Sequence, residues 1–157
     1  MVVTTLAQAA AFARAIQQDG KLVVFTNGVF DLLHPGHVRY LQSARQLGDA
    51  LIVAVNSDRS VRANKGPNRP IFPETERAET IAALACVDLA VIFDEETPAA
   101  IIDAILPDVL VKGADWAADR IVGREVVEGR GGRVVRVPVE EGWSTTAIVE
   151  RARRLMP

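Results

Sequence analysis

The chain has 157 residues, of which 49% are hydrophobic and 24% charged, and its formal net charge is −2. This balance is typical of one globular domain, and it excludes a disordered chain and a basic protein that binds nucleic acid non-specifically. A single cysteine, Cys86, excludes an intrachain disulfide, and without a leader pattern or an apolar run of about 18 residues we expect a cytoplasmic protein with no membrane partner.

Helical and extended patterns alternate from the start of the chain. Apolar residues at helical spacing predict a helix over 5–18, and an apolar run predicts a strand over 22–26. A second helix follows the histidines and ends at Gly48-Asp49, and the β-branched run 51–55 predicts a strand buried on both faces. The long polar segment 57–73 is predicted to be a loop, and loops of this length are usually functional or disordered.

The alternation continues to the last residues. A helix is predicted over 75–85 and a strand over 89–93, and Thr97-Pro98 is predicted to open a helix with a hydroxyl cap and a first-position proline. Strands over 109–111 and 133–138, a short helix over 119–130 and a final helix over 145–155 complete the pattern. This order predicts a doubly wound, Rossmann-like α/β fold with a five-stranded, mostly parallel sheet. We expect one domain over 1–157, with its core over about 21–155.

The two histidines of the chain, His34 and His37, lie three residues apart where the first apolar strand gives way to a helix. Pro35 and Gly36 mark the turn, and proline is preorganised for a first helical position. Free backbone N–H groups and the positive end of the helix dipole attract anions at such a place. The pattern indicates a phosphate-binding site, with helix capping by the histidines as the alternative.

Short motifs follow one another from the first strand to the last helix. They are Thr26-Asn27-Gly28-Val29-Phe30-Asp31 with His34-x-Gly36-His37, then Val55-Asn56-Ser57-Asp58, Lys65-Gly66-Pro67-x-Arg69-Pro70, Glu76-Arg77, Leu106-Pro107-Asp108-Val109-Leu110-Val111-Lys112-Gly113-x-Asp115 and Ser144-Thr145-Thr146. The first motif resembles the signature of the HxGH nucleotidyltransferases. The combination is most similar to the heptose-1-phosphate adenylyltransferases of that superfamily.

The resemblance implies transfer of AMP from ATP to D-glycero-D-manno-heptose 1-phosphate, with release of pyrophosphate, in the synthesis of a lipopolysaccharide core precursor. Mg²⁺ is expected to arrive with ATP, because the sequence has no tight carboxylate set that would hold a metal by protein alone. The implied catalytic residues are His34, His37 and Lys65. The implied nucleotide-binding residues are Thr26, Asn27, Gly28, Val29, Phe30, His34, Gly36, His37, Lys112, Gly113, Asp115, Ser144, Thr145 and Thr146, and the implied substrate-binding residues are Asp31, Asp58, Arg69 and Arg77.

Some of these residues also have simpler interpretations. Asp115 could cap a turn or a helix, and Arg69 and Arg77 could be surface or helix-pairing residues. The heptose branch often has a second glycine and a tyrosine where this chain has Ala114 and Trp116. The aromatic ring is kept at that position, but its hydroxyl group is lost.

Two other functions are compatible with the fold. A cytidylyltransferase acting on glycerol 3-phosphate or a similar polyol or amino-alcohol phosphate typically carries an arginine a few positions before the hydroxyl cluster, where this chain has Glu140-Glu141-Gly142-Trp143. A non-catalytic nucleotide-binding regulator would not need the histidines and Lys65, which are intact. The resemblance further implies a homodimer. It also implies a separate sugar kinase that supplies the substrate, because the related enzyme is often fused to a kinase domain for which this chain has no length.

Overall fold

The apolar runs of the sequence form strands of one parallel sheet in this computed structural model, which describes residues 3–139 and 142–156. The strands are β1 (Val3–Thr4), β2 (Val23–Gly28), β3 (Ala50–Asn56), β4 (Leu89–Phe93), β5 (Val109–Gly113) and β6 (Arg133–Val137). Their order across the sheet is β1-β4-β3-β2-β5-β6, and every neighbouring pair is parallel.

Helices cover both faces of this sheet. They are α1 (Leu6–Gln18), α2 (Pro35–Arg45), α3 (Asp58–Lys65), α4 (Glu74–Ala82), α5 (Ala99–Ile105), α6 (Arg124–Gly129) and α7 (Thr145–Leu155), with a 3₁₀ turn over Ala118–Arg120. Successive strand residues point to opposite faces, so Val24 packs in one apolar cluster with Leu41 of α2, and Phe25 packs in the other with Ile102 of α5. The doubly wound α/β fold is therefore confirmed. Within the described ranges, no helix is long and apolar enough to cross a membrane.

The sheet has six strands, and the predicted number of five was wrong. The additional strand is β1, in which Val3 lies opposite Ala90 and Thr4 lies opposite Val91 of β4. Two residues cannot show an alternating pattern, so the pairing of such a short edge strand is decided by the tertiary structure and not by its own sequence.

The polar segment 57–73 was predicted to be a loop, but its first half forms helix α3. The Ser57 side chain caps this helix by accepting a hydrogen bond of 3.1 Å from the backbone N–H of Ser60. Asp58 in the first turn and Lys65 in the last turn have the charges that the helix dipole favours. Only Ser60 and Val61 are buried, so the sequence carries no apolar stripe that would have indicated a helix.

The predicted start of the helix near Thr97 was also wrong, because α5 begins at Ala99 with Pro98 at its N-cap and no side-chain capping bond. Pro98 has neither an N–H nor a polar side chain, so it occupies this position without capping it. The prediction for the last helix is confirmed. The hydroxyl of Ser144 accepts from the backbone N–H of Ala147 at 3.0 Å, and α7 begins at Thr145.

The order of the strands reverses at β2, which pairs with β3 on one side and with β5 on the other. The segments that follow β2 and β5 leave toward opposite faces, so a crevice opens between the carboxyl ends of these strands. Ligands of open α/β sheets bind at such a switch point. The segment 29–34, which leads from β2 to α2, therefore lies where a ligand would be expected.

Candidate active site

A cleft of about 720 Å³ lies at the switch point, a volume within the range of small-molecule sites. Most of the predicted site residues line it: Asn27, Gly28, Val29, Phe30, Asp31, His34, Gly36, His37, Lys65, Arg69, Lys112, Gly113, Asp115, Ser144, Thr145 and Thr146. Thr26, Asp58 and Arg77 do not line it. The fold thus collects residues from segments that are more than a hundred positions apart in the chain.

His34 and His37 form a stacked pair at the start of α2. Their ring centroids are 3.7 Å apart and the ring planes differ by 18°. His34 is the N-cap of the helix, and its Nδ1 accepts from the backbone N–H of His37 at 3.4 Å. When Nδ1 of a neutral imidazole accepts, Nε2 carries the proton, so His34 has one N–H donor left for a ligand.

Burial keeps both imidazoles in their neutral form. It lowers the pKa of His34 below its usual value and lowers the pKa of His37 to about 4, with His34 and Lys65 contributing to the second shift and Asp31 opposing it. Within the described part of the chain, the Nδ1 atom of His37 is buried without a hydrogen-bond partner. An unpaired buried nitrogen costs about 1–3 kcal/mol, and such atoms are rare enough to suggest a site arranged for chemistry.

The backbone before the histidines is bent into an uncommon conformation. Phe30 and Leu32 have φ values of 50° and 48°, in the left-handed region that non-glycine residues rarely occupy. The Phe30 ring meets the His37 ring edge to face, with centroids 5.5 Å apart. Such backbone strain is concentrated at functional sites, where the surrounding structure maintains it.

Lys112 lies across the switch point from the histidines, near the end of β5. Its side chain is buried, and its ammonium donates to Oδ1 of Asn27 at 2.6 Å and lies 5.5 Å from the centre of the Trp116 ring. Burial lowers the pKa of Lys112 to about 8, against the opposing effect of Asp115. An ammonium has three N–H donors, so donors remain for a ligand in the cleft.

Lys65 reaches the same cleft from the end of α3. It is exposed, and the following residue, Gly66, has a φ of 92° that ends the helix in a conformation suited to glycine. A flexible lysine at a helix end can follow a moving charge, which a buried lysine cannot do. The cleft therefore has one fixed and one mobile ammonium group.

The Asp31 carboxylate faces the protein rather than open solvent. It accepts from the backbone N–H groups of Ile71 and Phe72 at 2.8 and 3.0 Å and from Nε of Arg69 at 3.0 Å. Burial acts to raise the pKa of Asp31, but the hydrogen bonds from Phe72, Ile71 and Arg69 together lower that pKa below its usual value. Asp31 thus anchors the segment after α3 to the segment after β2, and Arg69 lines the cleft beside it.

Arg77 and Asp58 form an ion pair of 2.8 Å outside the cleft. The Arg77 side chain is only 1% exposed, and it donates to the carbonyl oxygens of Val29, Asn56 and Phe72 at distances of 2.6 to 2.9 Å. These carbonyls belong to the segments that shape the cleft, so Arg77 supports the cleft wall from behind.

Thr26 is fully buried under the floor of the cleft. Its hydroxyl donates to the carbonyl oxygen of Val111 at 3.0 Å and lies 2.8 Å from the hydroxyl of Tyr40. The bond joins β2 to β5, and the Tyr40 contact joins both strands to α2. Thr26 therefore fixes the position of the strands at the switch point.

The start of α7 closes one side of the cleft. The Thr145 hydroxyl donates to the carbonyl oxygen of Asp31 at 2.7 Å, while Ser144 is occupied with helix capping. Thr146 also lines the cleft. In the segment Glu140-Glu141-Gly142-Trp143, where an arginine was expected of a cytidylyltransferase acting on a polyol or amino-alcohol phosphate, Glu140 and Glu141 lie outside the described residues. Trp143 lines the cleft next to His34.

Sequence reasoning missed several residues of the cleft, including Tyr40, Asn64, Glu96, Thr97, Arg120 and Trp143. Tyr40 lies three positions after His37 on the same helix, and this spacing places both on one face. Glu96 and Thr97 follow β4, so the rule that ligands bind at the carboxyl ends of strands could have found them.

The described residues contain no group of three or more His, Cys, Asp or Glu side chains that could hold a metal ion. Among the carboxylates of the cleft, Asp31 is turned toward Arg69 and two backbone N–H groups. A divalent cation would therefore need most of its ligands from a bound substrate and from water, which is how Mg²⁺ commonly binds with nucleotides.

Comparison with known proteins assigns this chain to a family. Residues 25–151, most of the chain, match the family described as cytidylyltransferase-like. The chain belongs to this cytidylyltransferase-like family. The family match confirms the resemblance to HxGH nucleotidyltransferases that the motifs indicate, and it spans the histidine pair, both lysines and the hydroxyl groups of α7.

The cytidylyltransferase-like chain is also similar to part of several larger proteins. It is 56% identical over 135 residues to the bifunctional protein HldE of Syntrophotalea carbinolica, and the match covers 86% of this chain and 28% of that protein. It is 58% identical over 142 residues to the bifunctional protein HldE of Citrifermentans bemidjiense, covering 88% of this chain and 29% of that protein. The chain thus spans less than a third of the length of these relatives.

Two solved structures share the fold of this cytidylyltransferase-like chain. A lipopolysaccharide core biosynthesis protein from Thermoplasma volcanium has a TM-score of 0.63 and 34% identity, covering 77% of this chain and 98% of that one. Pantothenate synthetase from Thermus thermophilus has a TM-score of 0.58 and 20% identity, covering 87% of this chain and 60% of that one. The second similarity concerns the fold alone.

Proposed function

We propose that this chain transfers AMP from ATP to D-glycero-D-manno-heptose 1-phosphate and releases pyrophosphate. The observation that carries the proposal is the shared cleft in which the stacked pair of His34 and His37 meets Lys65, Lys112 and the hydroxyl groups of α7. The similarity to HldE proteins and to a lipopolysaccharide core biosynthesis protein supports a heptose phosphate as the acceptor.

In the proposed reaction, a phosphate oxygen of the sugar phosphate attacks the α-phosphorus of ATP in line with the departing pyrophosphate. Negative charge is stabilised on the α-phosphate oxygens by donors that are already in place. His34 and His37 supply N–H donors, and the N-terminus of α2 adds backbone N–H groups and the positive end of its dipole. The imidazoles keep their protons, so no covalent enzyme intermediate is needed.

The charge of the reacting phosphates is balanced by the two lysines, because the imidazoles are neutral. We assign Lys112 to the bound nucleotide, since its ammonium is fixed at the end of β5 by Asn27. We assign Lys65 to the departing pyrophosphate, since it is exposed at a helix end and can move with the charge. The segment from Asn27 to Phe30 and residues Gly113 and Asp115 complete the nucleotide site.

The acceptor site is assigned to the part of the cleft beside the connection between α3 and α4. Arg69 lines this region and is a partner for the sugar phosphate, although its Nε is already bound to Asp31. Asp31, Asp58 and Arg77 are assigned an indirect part in substrate binding, through the shape of the cleft wall. Mg²⁺ enters with ATP as part of the substrate.

The decisive experiment is pyrophosphate release with each of four substrate pairs, ATP or CTP combined with heptose 1-phosphate or glycerol 3-phosphate. The expected result is activity with ATP and the heptose phosphate only. A preference for CTP would overturn the proposal in favour of a cytidylyltransferase. Binding of ATP without turnover across a panel of sugar phosphates would identify a regulator instead.

We also propose that a separate sugar kinase supplies the heptose 1-phosphate. The name "bifunctional" of the HldE relatives, together with the large part of their length outside the match, supports a second activity linked to this one. We further propose a cytoplasmic homodimer, which a mass measurement of the protein in solution would test.

A further inference from the structure

An unbroken column of aromatic rings runs through the candidate site. Trp143 lies over His34 with ring centroids 6.2 Å apart and planes inclined by 21°, and His34 stacks on His37 at 3.7 Å. His37 in turn meets the edge of Phe30. The rings of Trp143, His34 and His37 are nearly parallel, and His34 is the one that contacts both of the others.

The local backbone is built to let Trp143 reach this position. A Cβ atom at Gly36 would lie 2.9 Å from Cβ of Trp143, closer than real Cβ atoms approach, and 3.1 Å from Cε1 of His34, which is tighter than most real contacts. Gly36 therefore provides the space in which the tryptophan and the imidazole meet. The start of α7, just after Trp143, is tied to the segment before α2 by the bond from Thr145 to Asp31.

The exposed fractions of Trp143 and His34 show which of the two rings shields the other from water. Trp143 is 40% exposed, whereas His34 behind it is only 7% exposed. Trp143 is thus the outer member of the column and contributes to the exclusion of water from His34.

We propose that Trp143 is a positioning residue, which holds the His34 ring in the stack with His37 and shields it from water. The residue acts through His34 and needs no contact with the reacting atoms. Its effect on turnover rests on the proposed function, but its effect on His34 does not. The two can therefore be tested separately.

We expect removal of the Trp143 ring to change the pKa of His34. Burial is what lowers the pKa of His34, so removal of the Trp143 ring returns that pKa toward the ordinary value of 6.5. The charged groups that act on the neighbouring His37 are Asp31 from the segment after β2 and Lys65 from α3. Neither belongs to the segment of Trp143, so their effects remain in the variant.

The experiment is a histidine titration by NMR on the free protein, followed through the ring Cε1–H signals. The chain has only two histidines, and His34→Asn and His37→Asn variants assign the two signals. We expect Trp143→Ala to raise the pKa of His34 toward its ordinary value and to remove the ring-current shift of its signal. Trp143→Phe is expected to keep most of the lowered pKa of His34 and most of the ring-current shift, because an aromatic ring still lies beside His34.

Trp116→Ala is the matched control, because it removes the other cleft tryptophan, which lies over Lys112 and not over the histidines. It is expected to leave both histidine titrations in place. An unchanged His34 titration in folded Trp143→Ala would overturn the proposal. Circular dichroism of each variant verifies that it is folded, and the exposure of Trp143 makes a folded alanine variant the expected outcome.

Activity measurements add a separate readout. A protonated His34 can no longer accept the hydrogen bond from the His37 backbone N–H, so kcat/KM should fall at acid pH as His34 becomes charged. If the proposed function is correct, this fall moves to higher pH in Trp143→Ala and stays in place in Trp143→Phe. If the His34 titration shifts in Trp143→Ala but the wild-type protein shows no turnover, the proposed function is contradicted and the positioning role of Trp143 is retained. Normal turnover of the wild-type protein, together with an unchanged His34 titration and an unchanged pH profile of kcat/KM in Trp143→Ala, would support the proposed function and contradict the positioning role.

Discussion

The guanidinium group of Arg77 donates a hydrogen bond of 2.6 Å to the carbonyl oxygen of Val29, which lies in the wall of the cleft. The same side chain binds the carbonyl oxygens of Asn56 and Phe72 and the carboxylate of Asp58. One buried cation thus joins the ends of two strands to the segment before α4. The position of the cleft wall depends on this arginine, even though Arg77 itself does not line the cleft.

Replacement of Arg77 by methionine is expected to lower the free energy of unfolding by about 3–5 kcal/mol, because three carbonyl oxygens and a carboxylate lose a shared donor in a buried place. Arg77→Lys restores little of the loss, since an ammonium cannot span acceptors placed for a planar guanidinium. Urea denaturation measures both variants. Unchanged stability with a raised KM for the sugar phosphate would instead indicate direct substrate binding.

His37→Asn is expected to lower kcat by about 10²–10³-fold, the range for loss of a donor that stabilises developing charge in a transition state. The fold is retained, because the helix cap is formed by His34 and not by His37. Single-turnover kinetics with ATP measures the loss. A variant with near-normal turnover would show that His37 does not stabilise the α-phosphate.

The stability of the protein should fall as the pH is lowered from 6.5 to 4. His37 is neutral in the folded state until its pKa of about 4, while the unfolded chain takes up a proton near 6.5, so protons favour unfolding in this window. The contribution is on the order of 2 kcal/mol, allowing for partial solvent access. Because asparagine does not titrate, His37→Asn should flatten the slope of unfolding free energy against pH in this range.

The pH range in which His37 affects stability is separate from the range in which Asp31 does so. The pKa of Asp31 is lowered in the folded state, so its contribution to stability is present above the unfolded pKa of 3.8 and is lost as the pH falls through its lower folded value. A stability loss in His37→Asn equal to that of the wild type between pH 6.5 and 4 would contradict the assignment to His37.

Deprotonation of Lys112 should make kcat/KM fall at alkaline pH, which gives the pH profile an alkaline limb. Its pKa is lowered to about 8 by burial, so the ammonium loses its proton, and the nucleotide loses a cationic partner, as the pH rises through 8. Lys112→Met is expected to lower kcat/KM by about 10–100-fold below pH 8 and to remove the limb. Lys112→Arg keeps the charge at every pH, so any activity it retains should lack the limb, and a limb that persists in both variants would exclude Lys112 as its source.

The sequence was informative where one local rule decides the outcome. The histidine pair follows the carboxyl end of β2 and Lys112 lies near the carboxyl end of β5, and the rule that ligands bind at these ends places all three at one edge of a parallel sheet. That rule could not reveal that the side chains of Asp31 and Arg77 bind groups of the protein itself, because the burial of a charged side chain is decided by acceptors and donors from distant segments. Helix α3 was missed for a related reason, since caps and charges stabilise it where an apolar stripe is lacking.

Trp143 shows a further limit of local rules. Its neighbour in the chain, Ser144, is identified as a helix cap from residue type alone. The contact of Trp143 with His34 joins positions more than a hundred residues apart, and it exists only because Gly36 lacks a side chain. Such a contact has no counterpart in composition, periodicity or spacing.

Helix α7 supplies one wall of the cleft, yet none of its residues is buried. A segment held by so little apolar contact opens at a small fraction of the global unfolding energy. Product exit can therefore proceed by a brief detachment of this helix, while the strands and both apolar layers remain assembled. Backbone amides of α7 should accordingly exchange with deuterium far sooner than those of β2, and a bound nucleotide should slow that exchange.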